Sequence, residues 1–303
     1  MTKVNRNSYF YRNWPYYAML VLPLAYFITF KYLPIYGVTV AFKEYNVFKG
    51  IGASEWVGLD VFKHIFSMES FYTALRNTFL LNGLDLIVGF PAPIVLALLL
   101  NEARFALFKR ISQTMLYLPH FISWVIIGGM VYQVFATNYG VLNLLFAQVG
   151  LGPFPFLSDK NHWLVTYVSV GVWQSAGWGS IIYLAAMTGI NRELYEAADV
   201  DGASRLRRIW HITLPGIRTT IIVLLILKIG DMADIGFDRP YIIGNVMVRE
   251  YSDVLSTFIY RIGLQSGQFS NATAVGLFQA VVGLVFILSA NYISKKTTDE
   301  SIL

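Results

Sequence analysis

The chain has 303 residues, of which 56% are hydrophobic and only 14% are charged, and its mean hydropathy is +0.54. Because a soluble domain carries about 25% charged residues, this composition excludes an ordinary soluble fold and predicts a membrane protein. The sequence contains no cysteine, which excludes disulfides, thiolate metal sites and cysteine nucleophiles. The net charge of +5 is assigned to membrane orientation and not to nucleic-acid binding, because the basic residues lie between apolar runs.

Six apolar runs predict an all-α membrane protein with six transmembrane helices. A helix needs about 20 mostly apolar residues to cross a bilayer. The first run is too long for the hydrophobic region of a signal peptide and no small-x-small cleavage site follows it, so we expect it to be retained. In chain order the runs are 14–40, 78–100, 111–136, 163–187, 214–233 and 272–293.

The distribution of lysine and arginine predicts which connections face the cytoplasm. The long connections 41–77, 137–162 and 234–271 contain at least as many acidic as basic residues, so we expect them on the extracytoplasmic side. The other connections and both termini are basic, and we expect them in the cytoplasm. Their basic residues are Lys3, Arg6 and Arg12, then Arg104, Lys109 and Arg110, then Arg192, Arg205, Arg207 and Arg208, and finally Lys295 and Lys296.

The connection between the fourth and fifth runs is predicted to form two short helices around Gly202. A left-handed backbone costs a non-glycine residue about 1–2 kcal/mol, so the glycine is the predicted bend. Leu214-Pro215 is predicted to end the second short helix and to begin the next membrane helix, where proline is tolerated in the first turn. The residues that recur at the i, i+3, i+4 spacing of a helix face are Leu194, Ala197 and Ala198, then Leu206, Ile209 and Trp210.

Periodicity alone leaves two interpretations of this connection open. In the first, the small residues Ala197 and Ala198 beside Glu196 form a shallow surface on a protruding knob, which another protein contacts. In the second, the segment is amphipathic and rests on the lipid headgroups, with its arginines toward anionic lipid.

The same connection resembles the EAA loop of the permease subunits of bacterial ABC importers. The resemblance implies the MetI-like fold of type I importer permeases. Residues 1–70 then form a cytoplasmic tail, the first membrane helix and an extracytoplasmic loop, and residues 71–303 form a five-helix permease core. It also implies that residues 189–215 form a coupling helix, which docks on an ATPase subunit and passes its ATP-driven closure to the membrane helices. The matching residues, which the resemblance places at the ATPase contact, are Glu196, Ala197, Ala198, Asp201, Gly202, Ala203, Leu214 and Pro215.

The resemblance extends over nearly the whole chain. Segments 32–37, 41–46, 253–257, 260–263 and 272–276 look like the LplB-like branch of carbohydrate permeases. That branch handles oligosaccharides, including uronate-containing ones derived from alginate or pectin. The resemblance therefore implies a location in the bacterial cytoplasmic membrane. It also implies a second homologous permease subunit, two ATPase subunits, an extracytoplasmic solute-binding protein and an oligosaccharide substrate.

The sequence assigns ATP hydrolysis to another polypeptide. It contains no G-x-x-x-x-G-K-[ST] phosphate-binding loop and not one Gly-Lys pair. We therefore expect a translocation subunit that is not an enzyme and binds no cofactor, with ATP and magnesium bound by the partner ATPase subunits. The four histidines are scattered without a carboxylate cluster, so no metal site is predicted.

Polar residues inside the apolar runs are candidates for the transport path, because an unpaired polar group is costly in lipid. Asn82 and Asp85 lie one turn apart in the second run. Lys228 and Asp231 are spaced i, i+3 in the fifth run, and we expect them to neutralise each other as a structural pair.

The fourth run carries Trp173, Gln174, Ser175 and Trp178 within about a turn and a half. Sugars present apolar C–H faces that stack on aromatic rings and hydroxyl groups that hydrogen bond to amides. Trp173, Gln174 and Trp178 are therefore included in the candidate substrate path. The alternative is helix packing or an interfacial aromatic belt, which explains most aromatic residues of a membrane protein.

Two other functions compete with an ATP-driven importer. A secondary transporter would carry inverted repeats and polar ion-binding pairs in broken helices, and the sequence contains no recognisable repeat. A membrane enzyme would need a convergent nucleophile, acid–base or metal constellation, and the sequence contains none that we recognise.

Overall fold

The computed structural model describes residues 6–298, which fold mostly into helices. Lys3 lies outside this range. Within it, one antiparallel hairpin pairs β1 Lys43–Glu44 with β2 Glu55–Trp56. The α-helices in chain order are α1 Arg6–Phe27, α2 Gly50–Ala53, α3 Asp60–Ser67, α4 Glu69–Leu84, α5 Pro91–Asn101, α6 Ala106–Tyr117, α7 Trp124–Phe135, α8 Val141–Gln148, α9 Lys160–Thr188, α10 Arg192–Val200, α11 Arg205–Arg208, α12 Leu214–Gly216, α13 Arg218–Gly230, α14 Asp238–Ile243, α15 Arg249–Ser252, α16 Leu255–Tyr260 and α17 Phe269–Thr298.

Tighter and wider turns connect many of these helices. The π-helical turns are Ile28–Tyr32, Asp85–Gly89, Ile209–Thr213 and Arg261–Gln265, and the 3-10 turns are Leu33–Phe42, Leu118–Phe121, Asp231–Ala233 and Val246–Val248.

All six predicted apolar runs fall on helices, but the helices differ in length and bend. Among residues 6–298, the continuous segments long and apolar enough to cross a membrane are Arg12–Phe42, Glu69–Asn101 and Phe269–Ile293. Two bent pairs qualify only if each pair is one span, namely Ala106–Phe121 with Trp124–Phe135 and Arg205–Gly216 with Arg218–Ala233. α9 has 29 residues, which is long enough to cross, although tryptophan, glutamine and serine make it less apolar. The number of six crossings stays a prediction.

The third predicted run, 111–136, is not one straight helix but a bent pair of helices, which makes one crossing only if the pair is a single span. The two halves meet at 105°. Pro119 lacks the N–H group that an α-helix needs, and Ser123 caps the new helix by accepting a hydrogen bond from the Ile126 N–H group. With 12 residues, α7 is only about 18 Å long, too short to cross a bilayer by itself.

The fifth predicted run is also bent, by 64°. The predicted helix boundary at Leu214-Pro215 is wrong by about two residues, because the helical segment continues to Gly216 and breaks at Ile217, whose φ is −104° and ψ is 9°. Pro215 cannot donate a backbone hydrogen bond. The π-helical turn Ile209–Thr213, which ends two residues before it, widens the helix at this point.

The buried side chains of the described residues form three clusters. The first joins the early loop to α4, α16 and α17, the second joins α4, α7 and α9 to the segment around α14, and the third joins α5 and α9 to the break before α13. Their fully buried or nearly buried members include Ala41, Ile65, Phe71, Phe258 and Val275, then Leu81, Ile127, Trp163, Tyr167 and Ile243, and finally Ala97, Tyr183, Met187 and Ile217.

The first helical segment packs against the described chain only at its end. None of the most apolar 18-residue window within Arg12–Phe42 is buried. Its contact with the remaining helices is made by the turn Leu33–Phe42, which lies against α17 and buries Val40 and Ala41.

The closest approach of α6 to α9 depends on Gly177. A Cβ atom at this position would overlap the carbonyl group of Leu116, which belongs to the backbone and cannot rotate away. Glycine is therefore required here by space, although it weakens a helix interior by about 0.5–1 kcal/mol relative to alanine.

We expect the substitution Gly177→Ala to destabilise the fold by about 1–3 kcal/mol, because the added methyl group forces α6 and α9 apart. The measurement is thermal unfolding of the purified protein in detergent. The matched control is Gly129→Ala in α7, where nothing lies within 4 Å of an added Cβ atom. An equal unfolding temperature for the two variants would contradict this prediction.

Candidate functional site

The segment 189–215 forms a compact knob of two short helices, as predicted. Asn191 caps α10 by accepting a hydrogen bond from the Glu193 N–H group at 3.0 Å. At the bend Gly202 has a φ of +68°, which confirms the predicted left-handed glycine. The Ala203 N–H group donates to the Ala198 carbonyl at 2.8 Å, and the Gly202 N–H group donates to the Asp199 carbonyl at 3.1 Å. These two hydrogen bonds and the left-handed glycine form a common type of helix C-terminus.

Two side-chain contacts fasten the knob to itself and to the helix that follows. Arg208 forms an ion pair with Asp199 and so joins α10 to α11. The hydroxyl groups of Tyr195 and Thr213 are hydrogen bonded at 2.9 Å, and Thr213 is completely buried. These contacts connect α10 to the π-helical turn that leads to Ile217 and α13.

The outer surface of the knob is apolar, with an acidic α10 and a basic α11. Leu194, Val200, Leu206 and Trp210 are all exposed, and Val200 is 88% exposed. Glu196, Ala197, Asp201 and Gly202 are exposed, while Ala198 and Ala203 are half-buried. On α10 itself the acidic residues Glu193, Glu196 and Asp199 outnumber the single basic residue Arg192. α11 carries the exposed basic residues Arg205 and Arg207, so the charges of the two helices are opposite and leave both interpretations of the segment open.

A buried ion pair holds Asp85 of the candidate path. Arg239 donates to both carboxylate oxygens of Asp85, at 2.7 and 3.2 Å, and only 11–12% of either side chain is exposed. Arg239 also donates to the Tyr167 carbonyl at 2.7 Å and lies 3.7 Å from the centre of the Tyr167 ring. A Cβ atom at Gly171 would overlap the guanidinium group, so the glycine makes room for it.

Arg239 was missed by the sequence analysis because it lies in a connection, 154 residues after its partner. The available signal was Asp85 itself, since a carboxylate within an apolar run requires a counter-charge.

Asn82, the neighbouring candidate, does not face an open cavity. It is completely buried and its Nδ2 atom donates to the Met232 carbonyl at 3.0 Å. Its Oδ1 atom has no partner among the described residues. Asn82 therefore connects α4 to the 3-10 turn after α13.

Asp85 and Gln174 line one cavity of about 500 Å³ between α9, α13 and the segment before α14. We call it the transport cavity. Four aspartates and two cations give its lining a formal charge of −2. Its charged and polar lining residues are Asp85, Gln174, Ser175, Lys228, Asp231, Asp234, Asp238 and Arg239.

The predicted pair of Lys228 and Asp231 is wrong. Among residues 6–298, Lys228 and Asp231 form no ion pair with each other, although both line the transport cavity. The candidates of the fourth run do not share one cavity: Trp173 points about 100° away from Gln174, and Trp178, on nearly the same face as Gln174, lies about one turn further along α9. Trp173 lines a separate apolar groove of about 300 Å³, and Trp178 stacks on His120 with ring centres 4.7 Å apart.

We expect Arg239→Gln to destabilise the protein by about 3–5 kcal/mol, because it leaves the Asp85 carboxylate buried without its counter-charge. Adding Asp85→Asn to that variant should restore most of the loss. Thermal unfolding in detergent measures both effects. Lys228→Gln removes an unpaired cavity cation and is the control. Purely additive losses in the double variant would contradict a coupled pair.

The comparisons with known proteins agree over most of the chain. The family described as "Binding-protein-dependent transport system inner membrane component" matches residues 89–299. Protein LplB of Bacillus subtilis (strain 168) is 47% identical over 94% of this chain and 90% of its own length. The polygalacturonan/rhamnogalacturonan transport system permease protein YteP of the same organism is 46% identical over 95% of this chain and 90% of its own length.

A solved structure has the same fold as this chain. One chain of a bacterial alginate ABC transporter, crystallised in complex with an alginate pentasaccharide-bound periplasmic protein, superposes with a TM-score of 0.89. The two sequences are 41% identical, and the match covers 97% of this chain and 99% of that chain.

Proposed function

The chain belongs to the family of binding-protein-dependent transport system inner membrane components, and from this we propose that it imports an acidic oligosaccharide. It is a permease subunit of an oligosaccharide ABC importer and not an enzyme. The substrate class is supported by two similar proteins, whose names give polygalacturonan/rhamnogalacturonan and alginate as cargo. Polygalacturonan and alginate are chains of uronates, which carry a carboxylate on each uronate sugar.

In the proposed orientation the chain crosses the bacterial cytoplasmic membrane six times with both termini in the cytoplasm. The basic connections support this arrangement, and the knob then lies in the cytoplasm with α14 to α16 on the extracytoplasmic side. A solute-binding protein delivers the cargo to that side. A second homologous permease subunit completes the path, and the unburied first helical segment offers it an apolar contact surface beside the lipid.

The knob is the proposed contact with an ATPase subunit. Its exposed apolar residues, its acidic α10 and its link from Tyr195 to Thr213 support this role. Two ATPase subunits bind ATP and magnesium, and their closure displaces α10. The displacement then passes through Ile217 to α13. The residues proposed at the contact are Glu196, Ala197, Ala198, Asp201, Gly202 and Ala203, with Leu214 and Pro215 in the helix that carries the motion onward.

The transport cavity is the proposed path of the sugar. Gln174 and the unpaired aspartates offer hydrogen-bond acceptors and donors to sugar hydroxyl groups, and Trp124 offers an aromatic wall. Asp85 contributes indirectly, because its ion pair holds Arg239 in the lining. Trp173 lies on another face of α9, and Trp178, which stacks on His120, does not line the transport cavity, so the proposal leaves both out of the path.

We expect Gly202→Val to uncouple ATP hydrolysis from uptake, with a loss of transport of at least about tenfold. A β-branched residue is strained at a φ of +68° and distorts the turn between α10 and α11. The measurement compares ATPase activity with uptake of short galacturonate oligomers in proteoliposomes of the assembled importer. Binding of the solute-binding protein should stay normal.

The matched control for this experiment is Gly58→Val. Gly58 has a φ of +61° and equally free surroundings, so its substitution introduces the same local strain far from the knob. Normal coupled transport by Gly202→Val at normal subunit levels would contradict the proposed role of the knob.

We expect Gln174→Leu to lower galacturonate uptake severalfold, because it removes an amide from the wall of the transport cavity while keeping a similar volume. Trp173→Leu should have a much smaller effect, because Trp173, one residue earlier in α9, lines the separate apolar groove and not the transport cavity. Initial uptake rates at several substrate concentrations distinguish the two variants. A larger loss with Trp173→Leu would show that the path follows the apolar groove instead.

A further inference from the structure

A second polar cavity lies outside the transport cavity, between α14 and the π-helical turn Arg261–Gln265. Its volume is about 470 Å³, within the range of about 300–1,000 Å³ that is usual for small-molecule sites. We call it the outer cavity, because the proposed orientation places this segment on the extracytoplasmic side. It is lined by two arginines, two tyrosines and one exposed amide, which are Arg249, Arg261, Tyr241, Tyr260 and Gln265.

One arginine of the outer cavity, Arg261, is held by an ion pair and a ring contact, while its buried Nε atom has no hydrogen-bond partner within residues 6–298. Arg261 forms an ion pair with Asp253, and its guanidinium group lies 5.2 Å from the centre of the Phe258 ring. Asp253 is itself fixed, because its Oδ1 atom accepts a hydrogen bond from the Thr257 hydroxyl at 2.7 Å. The backbone carbonyl of Asp253 accepts from Asn77 Nδ2 at 2.9 Å, which ties this wall to α4.

The other arginine has no counter-charge. Arg249 is exposed, and within residues 6–298 its side chain forms no ion pair or hydrogen bond. Asp253 neutralises only one of the two guanidinium groups, so the charged residues of the lining carry a net formal charge of +1. The outer cavity therefore attracts an anion, whereas the lining of the transport cavity carries −2.

An aromatic wall lies beside these cations. The rings of Tyr241 and Tyr260 have centres 5.3 Å apart, and Phe237 stacks against Tyr241 at 4.7 Å. Tyr241 is half exposed, and a hydrogen bond with Tyr260 raises its pKa. The phenol therefore stays neutral at physiological pH and does not repel an anion. A sugar ring can place its apolar C–H face on such a wall.

We propose that the outer cavity binds a uronate residue of the incoming oligosaccharide, with its carboxylate at Arg249 and Arg261 and its ring on the tyrosine wall. Guanidinium groups bind carboxylates through paired, charge-assisted hydrogen bonds, which a neutral sugar does not form. The inference rests on the proposed function, because it needs an acidic cargo and an extracytoplasmic position. Acid recognition by this subunit then occurs before the sugar enters the acidic transport cavity.

The test uses the assembled importer in detergent, without the solute-binding protein, and two probes: a galacturonate trimer and its methyl ester. Arg249→Gln should weaken binding of the trimer about tenfold, as expected for one lost hydrogen-bonded charge. Binding of the uncharged ester should stay as in the wild type. The matched control is Lys49→Gln, which removes an exposed cation that does not line the outer cavity. Isothermal titration calorimetry provides the dissociation constants.

Uptake of the same trimer into proteoliposomes separates the inference from the proposed function. If the wild type takes up the trimer and Arg249→Gln binds it unchanged, the outer cavity is not a uronate site and the proposed function stands. If the wild type neither binds nor transports the trimer, both the acidic cargo and the uronate site are wrong. Weaker binding of the solute-binding protein by Arg249→Gln, with unchanged trimer affinity, would assign the surface to protein docking and overturn the inference.

Discussion

The ion pair between Asp85 and Arg239 is the contact on which the arrangement of the central helices depends. Removing two charges from water costs several kcal/mol for each ion, so such a pair is stable only when its geometry is good and further hydrogen bonds support it. Here the pair is bidentate, and Arg239 has a further acceptor in the Tyr167 carbonyl and an aromatic ring beneath it, while its buried Nε atom has no partner within residues 6–298. One arginine thus fixes the π-helical turn after α4, the first half of α9 and the start of α14. Arg239 lines the transport cavity, and Tyr241, two residues later in α14, lines the outer cavity. The ion pair that holds Arg239 therefore positions both cavities.

α9 connects this ion pair to the knob. Tyr167 and Gly171 meet Arg239 toward one end of the helix, while Tyr183 and Met187 pack against Ile217 toward the other. Ile217 is the residue at which the helix from the knob breaks before α13. A helix is stiff along its axis, so in the proposed mechanism a displacement of the buried break moves α13 against α9. The transport cavity lies between these two helices, and their relative movement therefore changes its width.

Local sequence determined some of these features and long-range contacts determined others. Gly202 was predictable because a left-handed turn between two capped helices requires glycine, and the caps Asn191 and Ser204 are themselves local signals. The bend after Pro119 was not predicted, because the apolar run 111–136 is long enough to form one membrane helix. The break at Ile217 carries no local signal, since a buried isoleucine fits a continuous helix equally well. The partner of Asp85 and the separation of Trp173 from Gln174 depend on which helices pack together, which periodicity does not specify.

The opposite charges of the two cavities suit a transporter of anions. A site that held a uronate tightly in the middle of the membrane would slow its release, because the energy gained on binding must be returned on exit. In the transport cavity, the aspartates repel a carboxylate. Among the described residues, Lys228 is the one cation of this cavity that forms no ion pair with an acidic residue. Hydroxyl groups are common to all sugars and hydrogen bond to aspartates and amides alike. Selection by charge at the outer cavity and passage by hydroxyl contacts in the transport cavity are therefore compatible in one chain, because each cavity acts on a different chemical group of the same sugar.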